Sequence, residues 1–146
     1  MAVKEVYRQG KTEVDGRAFL DFVVRKEFLF SDPASNVIRI PIEKGRTVLE
    51  VRTHTLAAFT GGSPTVSVGD SANATNYLAT TDSTITTLNN MSRSSLCAQT
   101  NKSGKYYATT DYILLTFSAS LTAGKIAISL VMSGYEPSPA NMIANM

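Results

Sequence analysis

The stretch RTVLEVRTHTLAAFTGGSPTVSVGD, residues 46–70, decides the fold. Read by alternate positions, Leu49, Val51, Thr53, Thr55, Ala57 and Phe59 fall on one side, and Glu50, Arg52 and His54 on the other. A period of two predicts a strand with one face in a core and one in water. Thr60-Gly61-Gly62-Ser63-Pro64 interrupts the pattern. The glycines accept positive φ, and proline starts a strand but does not sit inside a central one. Thr65-Val66-Ser67-Val68 resumes the alternation, and Gly69-Asp70 ends it.

Towards the N-terminus, residues 37–43 alternate as well, with Ile38, Ile40 and Ile42 inward and Arg39 and Glu43 outward. Pro41 lacks a ladder donor, which predicts an edge strand or a bulge. Lys44-Gly45 is a turn, so residues 37–43 and 46–59 read as a hairpin. Residues 17–30 put Ala18, Leu20, Phe22, Val24, Phe28 and Phe30 on one side of a strand broken only by Lys26. A helix would group Phe19, Phe22 and Val23; the aromatic and β-branched content favours the strand. Residues 1–16 form a charged arm or first strand carrying Val3, Val6 and Tyr7, and Asp15-Gly16 is turn chemistry.

Towards the C-terminus, residues 71–105 show little sustained apolar pattern, with Ile85 and Leu88 as candidate anchors of a short strand. Loops of that length tend to be functional, which marks this one as a partner-facing surface. Ile113, Leu115, Phe117 and Ala119 then form one alternating set, and Ile126, Ile128, Leu130 and Met132 another. With Thr122-Ala123-Gly124-Lys125 as the turn, they read as a second hairpin. The sum is an all-β fold: a β-sandwich or jelly roll of seven or eight antiparallel strands over residues 17–134, with extended terminal arms at 1–16 and 135–146. Its predicted core is Leu49, Val51, Phe59, Val66, Val68, Ile113, Leu115, Phe117, Ile126, Ile128 and Leu130.

Composition and chemistry narrow the function. A net charge of +2 is too mild to predict a nucleic-acid or membrane partner. The N-terminal segment MAVKEVYRQGK has no apolar core of a secretory signal, and no apolar run approaches membrane-spanning length. The single Cys97 excludes an intrachain disulfide. His54, the only histidine, lies on the polar side of a strand with no nucleophile in a recognisable motif. Asp70, Asn73 and Asp82 could converge on Ca²⁺, yet Asp and Asn at strand ends are ordinarily turn formers. Tyr77, Tyr106, Tyr107 and Tyr112 could stack on a sugar, or simply fill a sheet. The expectation is no enzyme, with no catalytic residue, cofactor or metal.

Val48 through Phe59-Thr60-Gly61-Gly62, the strand SPTVSVGD, and Tyr77-Leu78-Ala79 together resemble a pattern of small virion proteins of tailed bacteriophages. In that pattern a V-x-V strand ends at F-x-G, and a P-T-x-x-V-G-D strand and a loop closing in Y-L follow. The match spans residues 48–79, about a fifth of the chain. It implies a structural virion component, foremost a head decoration (cement) protein made in the host cytoplasm. Such a protein would bind and stabilise the major capsid protein lattice at the capsid surface, as a homotrimer or other homo-oligomer. The alternatives are a tail or fibre component, or a β-sandwich module that binds carbohydrate or a host surface. Under this reading the partner interface falls on apolar residues outside any alternating strand: Val3, Val6, Tyr7, Pro137, Pro139, Met142, Ile143 and Met146. Ordering such arms costs roughly 1–2 kcal/mol per residue in backbone entropy, so they are either disordered or covered by a second chain.

Overall fold

The computed structural model describes residues 11–14, 17–33, 36–118 and 120–135. Among them run β1 (Lys11–Val14), β2 (Arg17–Leu29), β3 (Val37–Ile42), β4 (Arg46–Gly61) and β5 (Val66–Gly69). After these come β6 (Met91–Arg93), a 3₁₀ turn (Ser94–Leu96), β7 (Lys105–Tyr107), β8 (Asp111–Phe117) and β9 (Leu121–Tyr135). The strands form two antiparallel sheets. The larger has the order β1-β2-β9-β4-β6, with β7 also paired to β4, and the smaller has the order β3-β8-β5. The protein is an all-β sandwich, with eight strands among the described residues from Arg17 onward and a ninth, β1, in the segment expected as an arm or first strand.

The alternating sets close on one another. Ile38, Ile40 and Ile42 of β3, Ile113, Leu115 and Phe117 of β8, and Val66 and Val68 of β5 face Ile126, Ile128, Leu130 and Met132 of β9 in a single buried cluster. Each such side chain contributes about 1.5–3 kcal/mol by leaving water. Phe59 of β4 and Phe117 of β8 stack across the sandwich, with ring centroids 5.6 Å apart. β2 is a strand throughout, with Phe22, Val24 and Phe28 packed half-buried on the same core. Pro41 lies on β3, an edge of the smaller sheet, where its missing N–H breaks no ladder.

Neither expected hairpin forms. β3 pairs with β8 and β4 with β9, so the Lys44-Gly45 turn carries the chain from one sheet to the other. The same holds for β8 and β9, which lie in different sheets and connect through residues 118–120. Gly124, read as part of that turn, sits inside β9 at φ +135°, among register shifts against β4. A short connection between two half-buried strands fits a turn within a sheet or a crossing between sheets. Alternation does not distinguish the two.

One core assignment also moves. Leu49 is only half-buried, whereas Val48 is fully buried. Val131 pairs with Glu50 but Met132 pairs with Val48, so Leu49 is the extra residue of a β-bulge. A bulge shifts side-chain parity by one. Val48 and Val51 therefore both reach the core.

Candidate functional site

Two buried carboxylates organise the polar parts of the molecule. Asp70 directly follows β5 and has only 1% of its surface exposed. Its Oδ1 accepts the backbone N–H groups of Ala72 (3.0 Å) and Asn73 (3.3 Å) and the Asn76 side-chain amide (2.8 Å). Its Oδ2 accepts the Lys105 ammonium at 2.7 Å and the Tyr107 hydroxyl at 2.8 Å, and the Tyr107 oxygen lies 2.8 Å from that of Tyr77. Burial alone would raise its pKa. The bonds from Lys105, Tyr107, Asn76 and Ala72 outweigh burial and hold the carboxyl below its ordinary value. Asp70 thus ties the start of the 71–105 segment to β7 at its far end.

That segment is no bare loop. The Phe59 N–H donates to Ile85, the Thr55 N–H donates to Asn90, and the Asn89 N–H donates back to Thr55, so it lies along the edge of β4. Tyr77, Leu78 and Ile85 are fully buried anchors, whereas Leu88 is exposed and the segment around Ile85 is not a strand. Asp70 and Asp82 share no hydrogen-bond partner among those described. Asp82 accepts the Ala79 N–H and the Gln99 amide, while Asp70 is occupied by an ammonium and neutral donors. Tyr77 and Tyr107 are inside the fold, and only Tyr106 and Tyr112 of the four tyrosines present exposed rings.

Alternation puts the second carboxylate, Glu50, on the water face, yet it is only 7% exposed. Arg52 Nε donates to it at 2.8 Å and Arg93 Nε at 3.1 Å, and the Ser95 hydroxyl is a third donor. Burial would raise its pKa, but the bonds from Ser95, Arg93 and Arg52 hold it down to about 2. Register then builds a surface. Arg52 of β4 lies opposite Arg93 of β6 on one side and Ser129 of β9 on the other, and Ser129 lies opposite Arg25 of β2. Along the next row, His54 lies between Met91 and Ala127. Small residues on β9 between long ones on its neighbours leave an open groove of about 380 Å³. It is lined by Arg25, Arg52, His54, Met91, Arg93 and the floor residues Ala127 and Ser129, among others.

The two reactive residue types each have a local hydrogen-bond partner. His54 Nε2 meets the Asn89 amide oxygen at 3.1 Å. The Cys97 thiol donates to the Arg93 carbonyl at 3.3 Å, and burial, with Asp82 nearby, raises its pKa. Replacing both with Ala is expected to leave the melting temperature within about 4 °C of the parent and any assembly intact. A variant that folds but no longer assembles would show that one of them has a direct role. The interface residues expected from sequence, Val3, Val6, Tyr7, Pro137, Pro139, Met142, Ile143 and Met146, lie outside the described residues.

Comparison with protein-family models and with curated proteins gives no match. Solved structures do match. A chain of the Cyanophage Pam1 capsid asymmetric unit is similar over 94% of this chain and 94% of its own length, with a TM-score of 0.56 at 16% identity. A chain of the acidic stable capsid structure of Helicobacter pylori bacteriophage KHP30 is similar over 81% of this chain and 89% of its own, with a TM-score of 0.54 at 12% identity. This chain shares their fold. At such identity the likeness is one of backbone architecture, and the side-chain groups around Asp70 and Glu50 are described from this protein alone.

Proposed function

We propose that the protein is a structural component of a bacteriophage virion, and specifically a head decoration protein that binds and stabilises the major capsid protein lattice. The observation that carries this reading is the fold shared end to end with a chain of a phage capsid asymmetric unit. The sequence pattern of residues 48–79 supports it independently of the backbone. The physics is compatible with it. A protein held in many copies needs only modest contacts per copy, because they are multiplied by avidity. Arms that lie on a neighbour give main-chain hydrogen bonds without a deep pocket.

In this reading the chain assembles with copies of itself, as a trimer or another closed oligomer, and the parts of the expected arms outside the described strands, residues 1–10 and 136–146, lie over a sister subunit or the capsid. The direct test is to mix purified protein with capsids assembled from the major capsid protein and to follow co-sedimentation and resistance to heat. Binding with a rise in particle melting temperature is expected. Deleting residues 136–146 should weaken particle binding or oligomerisation by tenfold or more, on the order of 1.4 kcal/mol, while leaving the sandwich folded. Unchanged capsid affinity and oligomeric state would remove that arm from the interface. Failure of the full chain to bind any capsid, with binding to tail assemblies instead, would overturn the decoration reading.

A further inference from the structure

The outer face of the larger sheet carries a charge arrangement that folding alone does not favour. Arg52 and Arg93 stand directly opposite each other on paired strands, and like charges so placed repel. Glu50 is shared between them, and Arg25 lies one strand beyond Ser129 in the same row. Glu27 pairs with Arg25 and with Lys125, the latter at 3.1 Å. Among the described residues this patch therefore holds four cations against two carboxylates. The side chains of Arg25, Arg52 and Arg93 keep 49%, 47% and 51% of their surface exposed, so their charge is presented to whatever enters the groove. Beside them stands Met91, 68% exposed, over a floor formed by Ala127 and Ser129.

We infer that this groove binds an extended, acidic segment of a neighbouring protein, with carboxylates on the arginine row and an apolar side chain against Met91. Guanidinium groups take carboxylates through paired, charge-assisted hydrogen bonds. In an extended segment, side chains two residues apart project on one side about 7 Å from each other. Arg25 and Arg52 stand two strand spacings apart, about 10 Å, and the long Glu and Arg side chains close the difference, so one carboxylate approaches Arg25 and the next the Arg52–Arg93 pair. Glu50 acts as a positioning residue, because it fixes both Nε groups and so holds the two side chains beside the groove. A polyphosphate backbone suits the site less well: Glu27 and Glu50 repel any anion, and a polyphosphate carries a charge at every unit where a peptide can confine its carboxylates to the arginines. An apolar pad beside the cations is likewise a feature matched by a peptide. The inference deepens the assembly reading and rests on it for the origin of the segment.

The test uses free probes and is independent of any capsid. The full chain, labelled with ¹⁵N, is titrated with a blocked peptide that carries Glu, Glu and Leu at successive alternate positions with Ser between them, so that all three project on one side, with its Gln-for-Glu counterpart, and with an oligothymidylate of equal charge. The acidic peptide is expected to shift amides around Arg52, Arg93, Ala127 and Ser129, and to bind more weakly as salt is raised. Arg52→Gln should weaken it about tenfold, the scale of one charge-assisted contact. Arg25→Gln, which leaves Glu50 and its partners untouched, should weaken it as well and serves if the first variant is unstable. Equal binding of the Gln peptide, no loss in Arg25→Gln, or no binding of the acidic peptide at all would overturn the inference. Tighter binding of the oligothymidylate would also overturn it, and would mark the face as a nucleic-acid surface. Because capsid binding is measured separately, failure here would leave the decoration reading standing, and the converse holds too.

Discussion

Asp70→Ala should cost on the order of 3–5 kcal/mol of folding free energy, a large share of the roughly 5–15 kcal/mol that holds a domain of this kind together. The change removes the acceptor for two backbone N–H groups, the Asn76 amide, the Tyr107 hydroxyl and the Lys105 ammonium at once. Lys105, whose side chain is 31% exposed, can turn to water. Asn76 and Tyr107 are buried and cannot, and a buried donor without an acceptor carries the full desolvation cost. Urea unfolding of the variant should show a lower midpoint with an unchanged slope. A loss below about 1 kcal/mol would mean that the loop after β5 is held by its apolar anchors alone.

The same chemistry fixes the response to acid. Asp70 and Glu50 both have folded pKa values below their ordinary ones, so the stability they confer is complete above those ordinary values and disappears as pH falls through the folded ones. For Glu50 the window runs from 4.5 down to about 2 and corresponds to on the order of 3 kcal/mol at neutral pH. Melting temperature should therefore fall steeply below pH 4.5 and be nearly flat from there to neutrality. Glu50→Gln should be less stable at neutral pH and show a shallower acid limb. Lys105→Met should shift acid unfolding to higher pH, because Lys105 gives the largest of the hydrogen-bonding contributions that keep Asp70 ionised.

The strands were legible because one face of each is buried. Ile38, Ile40 and Ile42, or Ile126, Ile128 and Leu130, repeat with period two as a half-buried strand requires. Sheet membership was not legible, since β3 presents the same alternation whether its partner is β4 or, as found, β8. The bulge at Leu49 left a trace in Val48-Leu49-Glu50-Val51, where three apolar residues in four break strict alternation and mark the parity change that brings both Val48 and Val51 to the core. The 71–105 segment was opaque for another reason. It is held to β4 by backbone hydrogen bonds, which any side chain permits, and by isolated anchors such as Tyr77 and Ile85. Asp70 did leave a signal: its carboxylate caps the N–H groups two and three residues on, the Asx turn that Asp favours. The arginine row left none, because Arg25, Arg52 and Arg93 are distant in sequence and meet only through strand register.

Gly124→Ala should be among the most damaging single-methyl additions to the chain, at roughly 2–6 kcal/mol. Two effects combine. Gly124 has φ +135°, a conformation that costs a residue with a Cβ about 1–3 kcal/mol. The new methyl would also overlap the ring of Phe59, which is 1% exposed and stacked on Phe117, so the ring has no free space into which to retreat. Overpacking of that kind costs typically 1–3 kcal/mol more. Gly45→Ala separates the two effects. Gly45 also has positive φ, at +88°, but a Cβ there meets nothing within 4 Å, so it should show the backbone cost alone. Trimming the ring should then rescue the crowded site. In a cycle of Gly124→Ala with Phe59→Leu, the double variant should be more stable than the sum of the single changes predicts by about 1 kcal/mol or more. Equal losses in Gly124→Ala and Gly45→Ala, with strict additivity in the cycle, would mean that the bulged start of β9 yields to the methyl and that its glycine serves the backbone only.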